Sequence, residues 1–167
     1  MNAHREVRRK DKFMGAEESI EFLRRASVGR LGTLGSDGFP YVIPMSFAYR
    51  DGKIYLHSAR QGQKLDDIRQ SPRVCFEVDE DLGLNRAGRV CDWAQYYRSA
   101  IVFGTARILE DSQDAVPALQ ALVDKYSAMR GDDVPGITAF SPEGIRKVAV
   151  VEITVERITG KKGLPKA

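Results

Sequence analysis

The sequence predicts a mainly-β domain, an antiparallel barrel with helices at its periphery. Three observations predict it. Six runs of alternating apolar and polar residues read as strands, bounded by turn signals such as Gly35-Ser-Asp-Gly38 and Asp51-Gly52. These runs do not alternate regularly with long helices, which disfavours a parallel doubly wound sheet. The chain has 167 residues with 43% apolar side chains, enough for one domain with a real core.

The elements follow in order. Residues 1–15 read as a basic arm, crowded by Arg5, Arg8, Arg9, Lys10 and Lys12. Solvated tails are the plain reading of this arm and of Lys161, Lys162 and Lys166 at the other end; a basic rim beside an anionic ligand is the alternative. Residues 16–26 form a helix, with Ile20, Phe22 and Leu23 apolar and Glu17 and Glu18 where a helix start favours acids. Residues 28–34 are a strand, and Gly35-Ser-Asp-Gly38 turns it into a long strand over residues 39–49. Pro44 lies inside that strand and cannot donate to a ladder, so it implies an edge, a bulge or a break, features that often face a ligand. Asp51-Gly52 is a hairpin dipeptide, and residues 53–57 are the return strand.

A helix over residues 63–70 stops before Ser71-Pro72, since a residue preceding proline is biased away from the helical region. Residues 73–79 are a strand. Residues 80–95 are polar and glycine-bearing and read as a long loop. Residues 96–109 form a long strand with Gly104 marking a bulge or a close backbone approach. Residues 113–126 are an amphipathic helix whose stripe of Val116, Leu119, Leu122, Val123 and Tyr126 serves core or dimer packing. Residues 131–144, with Pro135, Gly136 and Pro142, read as a second loop. Residues 146–158 close the barrel. The domain spans 16–160, and 161–167 are a tail.

Composition narrows the function. A charged fraction of 29% and a net charge of +3 demand no nucleic acid. Two cysteines, Cys75 and Cys91, argue against a disulfide-stapled secreted protein. With only His4 and His57 and no zinc spacing, no metal site is expected. The start has no apolar signal region, and no apolar run nears the ~18 residues of a membrane span, so a cytoplasmic location is expected.

One stretch carries chemistry. A strand ends in His57-Ser58, the chain turns at Gly62, and a helix opens with Lys64 in its first turn. Free amides at a helix start, a glycine that allows close approach and one lysine together suit a phosphate. The stretch lacks the Gly-x-x-x-x-Gly-Lys-Ser/Thr of a nucleotide P-loop and the Gly-x-Gly-x-x-Gly of a Rossmann turn.

Seven segments in family order carry a resemblance: Val28-Gly-Arg-Leu-Gly-Thr33, Gly38-Phe-Pro-Tyr-Val-Ile-Pro44, Asp51-Gly-Lys-Ile-Tyr-Leu-His-Ser-Ala59, Gly62-Gln-Lys64, Arg73-Val-Cys-Phe-Glu-Val78, Tyr97-Arg-Ser-Ala-Ile-Val-Phe-Gly104 and Ile158-Thr-Gly-Lys161. The chain resembles the pyridoxamine 5′-phosphate oxidase-like FMN-binding split barrels, in particular the nitroimidazole-resistance branch. The resemblance implies a six-stranded antiparallel Greek-key split β-barrel with flanking helices, a homodimer with FMN at the subunit interface. It implies that Val42, Ile43, Pro44, Met45 and Ser46 run beside the flavin ring. It implies that Ser58, Ala59, Gly62 and Lys64 hold the phosphate, and that Arg98, Ser99 and Lys161 reach the flavin, Lys161 from the partner subunit. Surface pairing for Arg98 and a frayed tail for Lys161 are the plain alternatives.

His57 is either a strand-end histidine with a satisfied hydrogen bond or, as the resemblance implies, the group at the flavin that moves a proton near neutral pH. Trp93, Tyr96 and Tyr97 either pack an interface or cover a planar ligand. The chain departs from true pyridoxamine-phosphate oxidases, since only Thr159-Gly-Lys-Lys-Gly-Leu-Pro-Lys-Ala167 follows Ile158 and Gln63 stands where the family places an arginine. Vitamin B6 chemistry is therefore not expected. The function expected is an FMN-dependent oxidoreductase passing electrons from a nicotinamide cofactor to a small oxidised, nitroaromatic-like substrate. The alternatives are a flavin storage or redox-sensing protein, or a deazaflavin- or heme-related split barrel; a basic-armed nucleic-acid binder is disfavoured.

Overall fold

The computed structural model describes residues 7–86, 88–131 and 140–165. Its strands are β1 (Phe13–Met14), β2 (Gly29–Leu34), β3 (Pro40–Met45), β4 (Phe47–Arg50), β5 (Lys53–Ala59), β6 (Arg73–Asn85), β7 (Ala94–Leu109) and β8 (Val148–Gly163). The helices are α1 (Ala16–Arg25), α2 (Gln63–Gln70), α3 (Ser112–Arg130) and the short α4 (Pro142–Arg146). The strands form one sheet in the order β3-β2-β6-β7-β8-β5-β4, with β1 added on β8. Every strand pair is antiparallel.

The sheet must curl on itself. β3 is one edge and β4 the other, yet only Ser46 separates them along the chain. The long strand expected over residues 39–49 is therefore two strands, and the break falls at Ser46 rather than Pro44. Pro44 pairs only with Arg30 on β2, so its missing donor faces the open edge. Division of this strand and the addition of β1 raise the count from the six expected strands to eight.

The barrel interior is lined by Leu31, Phe47, Ile54, Leu56, Phe76, Val78, Val102 and Ile153 and is plugged by Phe22 and Leu23 of α1 and Leu65 and Ile68 of α2. A second core lies outside the barrel, where Ala115, Ala118, Leu119 and Leu122 of α3 cover Ala48, Leu109 and Val150. Gly104 sits at a register shift between β7 and β8, as expected. A Cβ there would collide with the carbonyl of Thr154.

Three expectations change. Residues 80–95 are not one long loop: β6 runs on to Asn85 and β7 starts at Ala94, pairing in a two-stranded ribbon through Leu84↔Gln95 and Asn85↔Ala94. Pro142–Arg146 is a helix turn rather than loop; Pro135 and Gly136 lie outside the described residues. β8 continues to Gly163, so Lys161 and Lys162 belong to the sheet rather than to a tail, and β1 pairs with it at Phe13↔Lys161.

Candidate functional site

β5 delivers the chain to one end of the barrel, where Gly62 turns it with φ of 135°. Non-glycine residues rarely adopt that conformation. α2 then starts at Gln63 with no side-chain cap. The other helix starts of this region differ: Asp111 accepts the Gln113 N–H at 2.8 Å on α3, and Ser141 accepts the Gly144 N–H at 3.0 Å on α4. In α2 the first intrahelical bonds run from Leu65 and Asp66 to the Gly62 carbonyl. The amides of Gln63 and Lys64 therefore point out of the helix end. Lys64 folds back over this end, its Nζ 3.8 Å from where a Cβ on residue 62 would stand.

The helix start is held rigidly. The Thr33 hydroxyl donates to the Asp67 carboxylate at 2.6 Å, both residues buried, which ties β2 to α2. A Cβ on Gly35 would stand 3.6 Å from Gln63 Nε2, so the β2–β3 turn also lies against the helix start. These features fit a flavin phosphate: uncapped amides, one cation and a residue that tolerates no side chain.

The strand expected to run beside a flavin ring is only partly available. Along β3, Val42 and Pro44 face outward, with Val42 60% exposed. Ile43 and Met45 pack against the barrel core. A ligand beside β3 meets these two through their backbone, and Ser46 is exposed at the break. On β5 the alternation places Ile54 and Leu56 inside and His57 and Ala59 outside. His57 and Ser58 thus face opposite sides of the sheet. The Ser58 hydroxyl donates to the Ala59 carbonyl at 2.9 Å.

The remaining predicted residues lie elsewhere. Ser99 pairs with Asp79 on one side and Lys161 on the other. Arg98 donates to Glu80 at 3.1 Å, and Glu80 also takes Arg25 at 3.1 Å. Within this chain the surface-pairing alternative for Arg98 is the one observed. Val150 of β8 pairs with His57 and with Leu109, whereas Lys162 pairs with Arg98. At about 3.3 Å per residue, the stretch of β7 from Leu109 to Arg98 spans about 36 Å. One chain therefore gathers Ser58, Gly62 and Lys64 and keeps Arg98, Ser99 and Lys161 near the far end of its longest strands. Trp93 meets Arg86 on the β6–β7 ribbon, and Tyr97 lies under Lys12 with 5.4 Å from Nζ to the ring centre.

Sequence reasoning missed the Thr33–Asp67 pair, which no local pattern signals. It also missed Arg60, whose charge lies in plain view between Ser58 and Lys64. Among the described residues no cluster of three His, Cys, Asp or Glu side chains could hold a metal, and no helix is long and apolar enough to cross a membrane.

Comparison with known proteins agrees with this architecture. The sequence model of the pyridoxamine 5′-phosphate oxidase family matches residues 15–162. A 5a,11a-dehydrotetracycline/5a,11a-dehydrooxytetracycline reductase of Streptomyces rimosus subsp. rimosus is 29% identical over 97 residues, 56% of this chain and 63% of that protein. The match thus spans less than two thirds of the reductase. A candidate 5-nitroimidazole antibiotic resistance protein of Bacteroides thetaiotaomicron has a similar structure, with a TM-score of 0.74, 24% identity and 89% of each chain covered. An FAD and heme binding protein of Mycobacterium smegmatis has a TM-score of 0.80 at 18% identity, covering 93% of this chain and 76% of that one.

Proposed function

Because the chain belongs to the pyridoxamine 5′-phosphate oxidase family, we propose that it is a flavin-dependent oxidoreductase that binds FMN between two copies of itself. The observation that carries this reading is the uncapped start of α2, with Gly62 and Lys64 at the end of β5. The Lys64 ammonium and the Gln63 and Lys64 amides hold the phosphate dianion, and Ser58 and Ala59 border it. The outward residues of β3, Val42 and Pro44, flank the ring, while Ile43, Met45 and Ser46 offer backbone groups. Arg98, Ser99 and Lys161 complete the site from the partner subunit.

The flavin, when bound, supplies hydride acceptance from a nicotinamide cofactor and electron delivery to a small oxidised substrate of the nitroaromatic kind. The chain's part is to hold, orient and protonate. His57 is exposed, so its imidazole exchanges protons with water and delivers one from a ring nitrogen to the reduced substrate. A reductase among the relatives supports electron transfer to an organic substrate.

The test is direct. Fresh protein should be yellow or take up FMN, and Lys64→Ala should weaken FMN by about 1–3 kcal/mol, the range of a lost charged hydrogen bond. His57→Ala should keep the flavin and slow substrate reduction. Equal FMN affinity in the lysine variant would refute the phosphate position. Flavin that stays oxidised with NADH and with NADPH would instead favour storage or sensing.

A further inference from the structure

A cavity of about 410 Å³ opens beside the strand that the reading above places along the flavin ring. Its volume falls within the ~300–1,000 Å³ of small-molecule sites. Phe22 and Val28 give it apolar walls, and Arg25, Arg30, Asp79 and Glu80 give it a charged rim. Arg30 connects the cavity to β3. It is the direct partner of Pro44 across the β2–β3 ladder, and both residues face outward. Their Cβ atoms therefore stand about 4.5–5.5 Å apart.

Arg30 is aimed without being used up. Its Nη1 donates to Glu77 at 2.9 Å and to Asp79, both on the neighbouring strand β6. Among the described residues its Nε and Nη2 make no hydrogen bond, and the side chain is 46% exposed. One side of the planar fork is fixed, and the other presents N–H donors. The surrounding charges balance. Arg25 and Arg98 meet Glu80, and Arg30 meets Glu77 and Asp79. An anionic group at Arg30 would be repelled by two carboxylates. A neutral oxygen acceptor meets only the donors it needs.

We propose that Arg30 binds the acceptor oxygen of the substrate, and that its two carboxylate partners restrict the site to uncharged substrates. This rests on the reading that β3 borders the flavin ring. Phe22 and Val28 cover the aromatic body of the substrate. A nitro group that takes up two electrons, supplied through the flavin, and two protons becomes a nitroso group and releases water. Negative charge gathers on its oxygens before the protons arrive. The Arg30 guanidinium, positioned beforehand by Glu77 and Asp79, offsets that charge.

The full chain loaded with FMN, titrated with nitrobenzene and with 4-nitrobenzoate, tests this. The change in flavin absorbance reports binding, and reoxidation of photoreduced flavin by each compound reports the reaction. Nitrobenzene should bind more tightly than 4-nitrobenzoate. Arg30→Gln should bind FMN as the wild type does. It should lose nitrobenzene affinity and reoxidation rate on the order of tenfold to a hundredfold, the scale of one charge-assisted hydrogen bond. Arg30→Lys should recover part of both. Asp79→Asn, which leaves Glu77 to hold Arg30, should admit 4-nitrobenzoate and narrow the preference, and it decides the matter even if Arg30→Gln does not fold. Unchanged nitrobenzene binding in Arg30→Gln would overturn the inference and leave Arg30 as a clasp between β2 and β6. A preference that Asp79→Asn does not alter would overturn it too, as would tighter binding of 4-nitrobenzoate by the wild type. A wild-type chain that takes up no FMN would instead overturn the flavin reading beneath it.

Discussion

The Tyr126 hydroxyl accepts the Phe47 N–H at 2.9 Å, the first amide after the barrel's break at Ser46. The same hydroxyl donates to the Ser27 carbonyl at 2.6 Å. One side chain on α3 thus satisfies backbone groups on both sides of the split, where neither neighbour strand reaches. Tyr126→Phe keeps the ring and removes both bonds. It should cost about 1–3 kcal/mol, because a buried amide is left unpaired. Urea unfolding measures this, and a midpoint equal to wild type would remove the clamp.

Glu152 is buried on β8 between Lys53, at 3.0 Å, and Arg107, at 2.8 Å. Burial pushes its carboxyl up, but hydrogen bonds from Arg107 and Lys53 outweigh this and hold it below its ordinary value. A carboxyl lowered in the folded state stabilises above its unfolded pKa and loses that contribution as pH falls. Glu152→Gln should therefore cost about 1–3 kcal/mol at pH 7. The gap between wild type and variant should close on acidification below about 4.5, the carboxyl's ordinary value. Unfolding midpoints over pH 3–7 decide it; a gap that does not change with pH would show that shape, not charge, matters there.

Legibility in the sequence followed local chemistry. Helix α2 reads from Gly62 to Ser71-Pro72 without error because both its boundaries are dictated by backbone conformation. The Gly104 bulge was equally legible, since only a residue without a side chain passes the Thr154 carbonyl. The ribbon beyond Asp79 was not. Leu82 and Leu84 are both exposed there, with Gly83 between them, so no buried face marks this stretch as strand. The break at Ser46 was not legible either, since the sharp turn needs no special residue; Pro44, read as an edge, a bulge or a break, marks an edge strand. The two-group division of the candidate site was hidden as well. It depends on strand register, and residues 58–64 and 98–99 are brought no closer by anything local.

Lys125 places its Nζ 3.5 Å from the centre of the Phe47 ring and donates to the Ala26 carbonyl at 2.6 Å. Burial alone lowers its pKa to about 8. The unfolded chain keeps that proton up to about 10.5, the amine's ordinary value. Between these values the unfolded state binds more protons, so stability contributed at this site rises with pH. The wild-type free energy of unfolding should gain on that of Lys125→Met from pH 8 to 10.5. A difference that stays level across that window would mean the amine is solvated and ordinary.

The separation of Lys64 from Arg98 yields the sharpest test of a shared site. Lys64 follows the end of β5 that lies level with Leu109, and about 36 Å of strand separates Leu109 from Arg98, more than two side chains reaching about 6–7 Å each can bridge. If both touch one flavin, they come from different subunits. Flavin binding should then be weak in Lys64→Ala and in Arg98→Ala homodimers. Co-expression with two distinct affinity tags isolates the mixed dimer. In that dimer one site carries both substitutions, and the other pairs a native Lys64 with a native Arg98. Half of the sites should therefore bind FMN with wild-type affinity, and the other half should bind worse than either parent. Arg98 engaged only with Glu80, as within the single chain, would give a different result: Arg98→Ala alone would bind FMN normally, and the mixed dimer would gain nothing over a simple average of its parents.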